Sequence, residues 1–227
     1  MPISEAFNMD NMKYMAGIPD KWFDLAVVDP PYGETCSLSG GKAAKDGFSA
    51  HWGKITDDGN WNTAPGPEYF EELFRVSRNQ IIWGANHYPN RLPPSSGWIF
   101  WDKGQRDFSF SDGELAFSSF GCRLRVVEIS RASLQKEVRF HPTQKPATLY
   151  RWLFQNYAKP GDRILDTHLG SGSSRIAAYD MGLDFYATEL DPDYFAAMEA
   201  RFRAHIAKPQ LFTPEQQCTF RQTTLEL

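Results

Sequence analysis

Cysteine is scarce: Cys36, Cys122 and Cys218 are the only three, widely spaced and odd in number. No C-x-x-C pair or Cys/His cluster offers a zinc site, and the pattern predicts a reducing, cytoplasmic setting without a bound metal. No run approaches eighteen apolar residues, and the opening MPISEAFNMD has no basic segment followed by an apolar one. Neither a membrane span nor a signal peptide is expected. No G-K-[ST] triplet occurs, which excludes a P-loop nucleotide hydrolase. Internal repeats and low-complexity tracts are absent as well. Charge of either sign is not in large excess: 24 bases against 28 acids leave −4 on 227 residues.

What is present is a chain able to bury a core, 41% hydrophobic, with 15% aromatics and seven tryptophans. Its charge is unevenly placed. Between Gly121 and Arg151 seven bases face two acids, whereas Asp180 to Glu199 holds six acids and no Lys or Arg. The basic stretch, with Arg123, Arg125, Arg131 and Arg139, is either a solvated face or a phosphate-contacting surface.

Short apolar runs ending in turns predict buried strands at Phe23–Val28 and Arg163–Asp166. Further strands are expected at Glu5–Asn8, Gln80–Trp83, Trp98–Trp101, Glu114–Ser118, Leu124–Ile129 and Asp184–Thr188. Helical spacing marks Glu68–Val76, Ala147–Tyr157, Ser174–Tyr179 and Asp193–Ile206. Strands alternating with helices imply an α/β sheet, mostly parallel. The stretch from Gly33 to Gly66 is 34 residues with seven glycines and little periodicity, a candidate mobile loop over whatever binds beside it.

Two turns carry chemistry. Asp166-Thr167-His168-Leu169-Gly170-Ser171-Gly172-Ser173 follows a strand and precedes a helix. Its glycines let a ligand approach the backbone, and Asp166 can accept from an ammonium group. About twenty residues on, the next strand ends at Glu189, placed to accept from two ribose hydroxyls, which suits a nucleoside cofactor on a doubly wound sheet. The second turn, Asp29-Pro30-Pro31-Tyr32, fixes an acid and an aromatic ring in a rigid extended segment.

Together these segments resemble the S-adenosylmethionine-dependent DNA amino-methyltransferases of the permuted beta class. The resemblance is carried by Asp29-Pro30-Pro31-Tyr32, by His141-Pro142-Thr143-Gln144-Lys145-Pro146, by Pro160 to Ser173 and by Glu189-Leu190-Asp191-Pro192-Asp193-Tyr194, in that order. Thr167-His168 departs from the family's Pro-Phe. The resemblance implies a doubly wound, mostly parallel seven-stranded sheet with one antiparallel strand. It implies one domain over 1–227: a catalytic half (1–120) with loop 33–66, a basic DNA-contacting connection (121–140), a cofactor half (141–207) and a tail (208–227). Asp29, Pro30, Pro31 and Tyr32 would be catalytic. Asp10, Thr143, Lys145, Asp166, His168, Gly170, Ser171, Gly172 and Glu189 would bind S-adenosylmethionine, with Thr143 and Lys145 at its carboxylate end. Asp10 reads equally as a helix cap before Met12–Met15. Arg123, Arg125, Arg131 and Arg139 would touch DNA phosphates.

The implied reaction is methyl transfer to the N6 amine of a flipped-out adenine. Methylation of cytosine N4 and a decayed DNA- or cofactor-binding protein are the alternatives. DNA is the implied partner, and a homodimer stays open. Trp83 and Trp101, at strand ends, read as core or as platforms, beside Asn86, His87 and Lys103.

Overall fold

A computed structural model describes residues 2–33, 63–106, 111–121, 123–130, 140–141 and 143–208. Most of the glycine-rich stretch, the three cysteines, Arg131, Arg139, Pro142 and nearly all of the tail lie outside these residues.

In chain order the elements are β1 (Ser4–Asn8), α1 (Asn11–Ala16), β2 (Phe23–Val28), α2 (Pro67–Val76) and β3 (Ser77–Trp83). A one-turn 3₁₀ segment, Ala85–His87, precedes β4 (Trp98–Asp102), β5 (Gly113–Ser118) and β6 (Arg125–Glu128). Then come α3 (Ala147–Tyr157), β7 (Arg163–Asp166), α4 (Ser173–Asp180), β8 (Asp184–Glu189) and α5 (Pro192–Ile206).

The strands form one sheet in the order β1-β8-β7-β2-β3-β5-β4-β6. Among the described strands only β5 runs against its neighbours. The sheet therefore has eight strands among the described residues, where the resemblance implied seven. The extra one is β6, which pairs parallel to β4 through Ile99↔Arg125 to Asp102↔Glu128 at the sheet's edge.

Why the strand residues are apolar is plain at β2. Leu25 and Val27 face one core with Ile81, Trp83, Ile164, Leu153 and Phe154. Phe23, Ala26 and Val28 face the other, with Met15, Phe70, Leu73 and Ile82. A strand covered by helices on both sides cannot alternate apolar with polar residues. Each such side chain contributes about 1.5–3 kcal/mol relative to exposure. Helix starts follow their signals: Pro67 opens α2, and Asp191 caps α5 by accepting from the Asp193 and Tyr194 N–H groups at 2.8 and 2.9 Å. Among the described residues no helix is long and apolar enough to cross a membrane.

Candidate active site

Four parallel neighbours, β8, β7, β2 and β3, end on the same edge of the sheet. Their last residues lead into Glu189-Leu190, Asp166-Thr167, Asp29-Pro30 and Gly84. β2 pairs directly with β7 through Leu25↔Ile164 and Ala26↔Leu165. Continuing that register by two residues brings Val28 level with Thr167. The acid-proline turn and the glycine loop thus leave the sheet side by side, where ligands of such sheets bind.

At the first turn, the Asp29 carboxyl is largely sunk, its side chain 14% exposed. Its Oδ1 accepts from the Tyr32 hydroxyl at 2.9 Å, and its Oδ2 accepts from the Lys145 ammonium. Lys145 is 3% exposed and also reaches Glu114 Oε2 at 3.0 Å. The Tyr32 hydroxyl stands 3.3 Å from that same oxygen, and Lys103 holds Glu114 Oε1 at 2.7 Å. Two carboxylates and two ammonium groups therefore form one compact cluster. Burial raises the Asp29 pKa, and Lys145 opposes it only in part. Burial also acts on Glu114, but Lys145 and Lys103 outweigh it and hold that carboxyl down at about 2. Asp29 is therefore the member of the pair that takes up a proton first.

The turn itself is rigid. The Tyr88 hydroxyl lies 2.9 Å from the Pro30 carbonyl and 2.5 Å from that of Pro31. The Tyr32 ring stacks on His87 with centroids 4.8 Å apart and planes 10° apart. Gly84, with φ +66°, lies beneath it: a Cβ there would stand 2.0 Å from Tyr32 Cε1. The close approach requires glycine on both counts.

At the second turn, Asp166 is 2% exposed. Its Oδ1 accepts from the His168 N–H at 3.0 Å and its Oδ2 from the Ser174 hydroxyl at 2.6 Å. Burial nevertheless pushes its pKa up to about 7. His168 Nε2 lies 3.1 Å from Asn11 Nδ2, and its Nδ1 lies 3.0 Å from the Thr167 hydroxyl. With the Asn11 amide donating to Nε2, the proton sits on Nδ1 and is donated to Thr167. Burial holds this imidazole neutral, its pKa lowered to about 4. Tyr69 of α2 closes the group, its hydroxyl 2.6 Å from Thr167 Oγ1 and its ring edge-on to His168 at 5.3 Å.

The glycine loop is drawn onto Glu189, whose Oε2 accepts from the Gly170 N–H at 2.7 Å and whose Oε1 accepts from the Asp191 N–H at 2.9 Å. Gly172, with φ +73°, caps α4, and a Cβ there would meet Met198 Cγ at 2.5 Å. Ser171 and Ser173 hydroxyls lie 3.1 Å apart. His141 packs beside Gly170 and against the Tyr194 ring at 4.5 Å, with the Thr143 hydroxyl 3.3 Å from its Nδ1. Burial and the Lys145 charge lower the His141 pKa to about 4.

The edge so described holds Asp29, Pro30, Pro31, Tyr32, Asp166, His168, Gly170, Ser171, Gly172 and Glu189. Lys145, expected at a cofactor's carboxylate end, lies between Asp29 and Glu114. Asp10 caps α1, its Oδ1 accepting from the Lys13 N–H at 2.9 Å. It also stands near enough to His168 for its charge to oppose, in small part, the effect of burial there. Arg123 and Arg125 are exposed on and beside the edge strand β6. Trp83 and Trp101 are core, at 0% and 2% exposure. Among the described residues no group of three or more His, Cys, Asp or Glu is placed to hold a metal.

Sequence reasoning missed Glu114, Tyr69 and Asn11. Glu114 had one usable signal, an acid opening an otherwise apolar strand. Tyr69 and Asn11 gave none, because one reads as a helix core position and the other as the residue after a cap.

Residues 70–200 match the family described as DNA methylase. The type II methyltransferase M2.DpnII of Streptococcus pneumoniae is 24% identical over 238 residues, covering 86% of this chain and 88% of that protein. M.BglII, a type II methyltransferase from Bacillus subtilis, is 22% identical over 244 residues, covering 85% and 67%. Among solved structures, the TTHA0409 protein of Thermus thermophilus, complexed with S-adenosyl-L-methionine, superposes with TM-score 0.58 at 16% identity over 93% of this chain and 98% of that one. PvuII DNA methyltransferase (cytosine-N4-specific) gives TM-score 0.58 at 13% identity over 100% and 94%.

Proposed function

The chain belongs to the DNA methylase family, and from that premise we propose that it transfers a methyl group from S-adenosylmethionine to the N6 amine of an adenine turned out of DNA. The observation carrying this reading is the pairing of β2 with β7, which sets the Asp29 turn beside the glycine loop.

The donor set fits the cofactor. Asp166 offers a buried carboxyl for an ammonium group, Glu189 a carboxylate for ribose hydroxyls, and Gly170 and Gly172 a loop without side chains. His168, neutral through burial, brings no positive charge near a sulfonium. When bound, S-adenosylmethionine supplies an electrophilic methyl group. The chain's task is to aim a poor nucleophile at it, because the lone pair of the amine is delocalised into the base. The Asp29 carboxylate and the Pro30 carbonyl would each accept one N–H of the amine and stabilise the positive charge developing on nitrogen. The Pro30 carbonyl already receives the Tyr88 hydroxyl, and its second lone pair serves the amine. Tyr32, held by His87 and Gly84, would stack on the base. The reaction is direct transfer without a covalent enzyme intermediate, and the methylated nitrogen then loses its proton. The acid at the head of Asp29-Pro30-Pro31-Tyr32 supports adenine as the target, as the family resemblance implies.

The test uses purified protein, isotopically labelled cofactor and mixed-sequence DNA, followed by digestion and mass analysis of the nucleosides. Labelled N6-methyladenine is expected. N4-methylcytosine would replace the adenine assignment, and no label in DNA would overturn the reading. Asp29→Ala and Tyr32→Ala should each reduce transfer about 100-fold or more.

A further inference from the structure

Asp29 faces a conflict. Each of its oxygens already accepts one donor, Oδ1 the Tyr32 hydroxyl and Oδ2 the Lys145 ammonium, and these weaken the second lone pair that each oxygen has left to offer. A substrate amine needs the same carboxylate. Both donors, however, have one further acceptor in common: Glu114 Oε2 lies 3.0 Å from the Lys145 ammonium and 3.3 Å from the Tyr32 hydroxyl. Glu114 is well fixed. It sits in β5, paired with Trp101 of β4, and Lys103 holds its other oxygen at 2.7 Å from above the Trp101 ring.

We propose that Glu114 is a positioning residue that takes up the hydrogen bonds of Lys145 and Tyr32 when the substrate amine engages Asp29. The exchange needs little motion. The Tyr32 ring is confined by His87 and Gly84, but its hydroxyl hydrogen can turn from one carboxylate to the other about the C–O bond. Lys145 carries three N–H groups and keeps one on Glu114 throughout. Two ammonium groups balance two carboxylates, so no proton has to leave the cluster. Without Glu114, both donors would remain on Asp29 and compete with the amine. The inference deepens the proposed reaction and rests on Asp29 accepting the amine.

The titratable groups around Asp29 are Tyr32 beside it, Tyr69 on α2, Lys103 after β4, Glu114 on β5, Tyr88 after the 3₁₀ turn, His141 and Lys145 before α3, Tyr150 in α3 and Asp166 at the end of β7. Glu114→Gln keeps the shape and removes the charge. Single-turnover methylation at saturating cofactor should fall up to about 100-fold, the order of loss when a reacting group is displaced from its attack geometry. Cofactor affinity should stay within about twofold of wild type, since the variant leaves the glycine loop untouched. The acid limb of the rate profile should move to lower pH, because a like charge beside Asp29 is gone. A wild-type rate with an unmoved acid limb would overturn the inference while leaving the methyltransferase reading intact.

A second measurement does not depend on turnover. The Asp29 carboxyl, followed by carbon-13 labelling and NMR, should titrate at lower pH in Glu114→Gln than in wild type, and an unchanged midpoint would equally reject the coupling. An inactive wild type whose Asp29 midpoint does shift would instead reject the proposed reaction.

Discussion

In the role proposed for it, a carboxyl with a pKa near neutrality would make Asp166 a sensor of its own ligand. Its folded pKa of about 7 lies above the ordinary 3.8 because burial disfavours the charge. The sign follows from proton counting. Between those two values the folded protein holds a proton that the unfolded chain releases. This contribution to stability is complete below about pH 4 and fades as pH rises through 7. A bound ammonium reverses the preference, since it requires the carboxylate. Cofactor affinity, measured by calorimetry from pH 5.5 to 8.5, should therefore weaken as pH falls below about 7, by up to about tenfold per unit. Asp166→Asn should bind weakly with a nearly flat profile. His168 and His141, both lowered to about 4 by burial, stay neutral over this range and cannot mimic the effect. A wild-type affinity indifferent to pH would remove Asp166 from the ammonium site.

Among the elements, the turn after β3 shows how backbone shape governs the site from below. Gly84→Ala must fit a Cβ 2.0 Å from the Tyr32 ring on a backbone with φ +66°. The ring has to shift, and displacements near 1 Å at a reacting centre cost about 100-fold in rate. We expect single-turnover methylation to fall by that order and urea unfolding to show a loss of about 1–3 kcal/mol. An active variant would mean that the Tyr32 position is not critical. The same region shows what could be read from the sequence. All eight strands were visible as apolar runs, and β2 and β7 were placed to the residue because turns bound them sharply. The apolar run predicts a start for β3 at Gln80, whereas the strand starts at Ser77. α2 passes into it with no intervening turn residue, and the Ser77 hydroxyl donates to the Leu73 carbonyl, so no composition change marks the border. The seven strands that the resemblance implies leave out β6, which the residues themselves predict at Leu124–Ile129 and which spans Arg125–Glu128 with only Val127 buried. The two turns of the site were legible because proline and glycine mark them. The Lys145–Glu114 contact was not, since it joins two strand and loop positions brought together only by the antiparallel entry of β5.

For the molecule as a whole, an acidic chain has to approach a polyanion, so a local surface must do the work. Arg123 and Arg125 are the described candidates, exposed at the edge of the sheet beside Leu124 and Val126, themselves 57% and 59% exposed. Phosphate contacts release counterions, so DNA affinity should fall steeply with salt. Replacing both arginines with alanine should lower the slope of log affinity against log salt by about 2. An unchanged slope would move the DNA surface elsewhere.

The pairing of β1 with β8, Ser4↔Phe185 through Asn8↔Glu189, has a further consequence for birth on the ribosome. At ordinary translation speeds the first strand waits on the order of ten seconds for β8, its one neighbour among the described residues, to be made. The glycine loop and Glu189 arrive in that same late portion. If the glycine loop and Glu189 hold the methyl donor as proposed, a nascent chain could not bind it until almost all of the sheet had been synthesised.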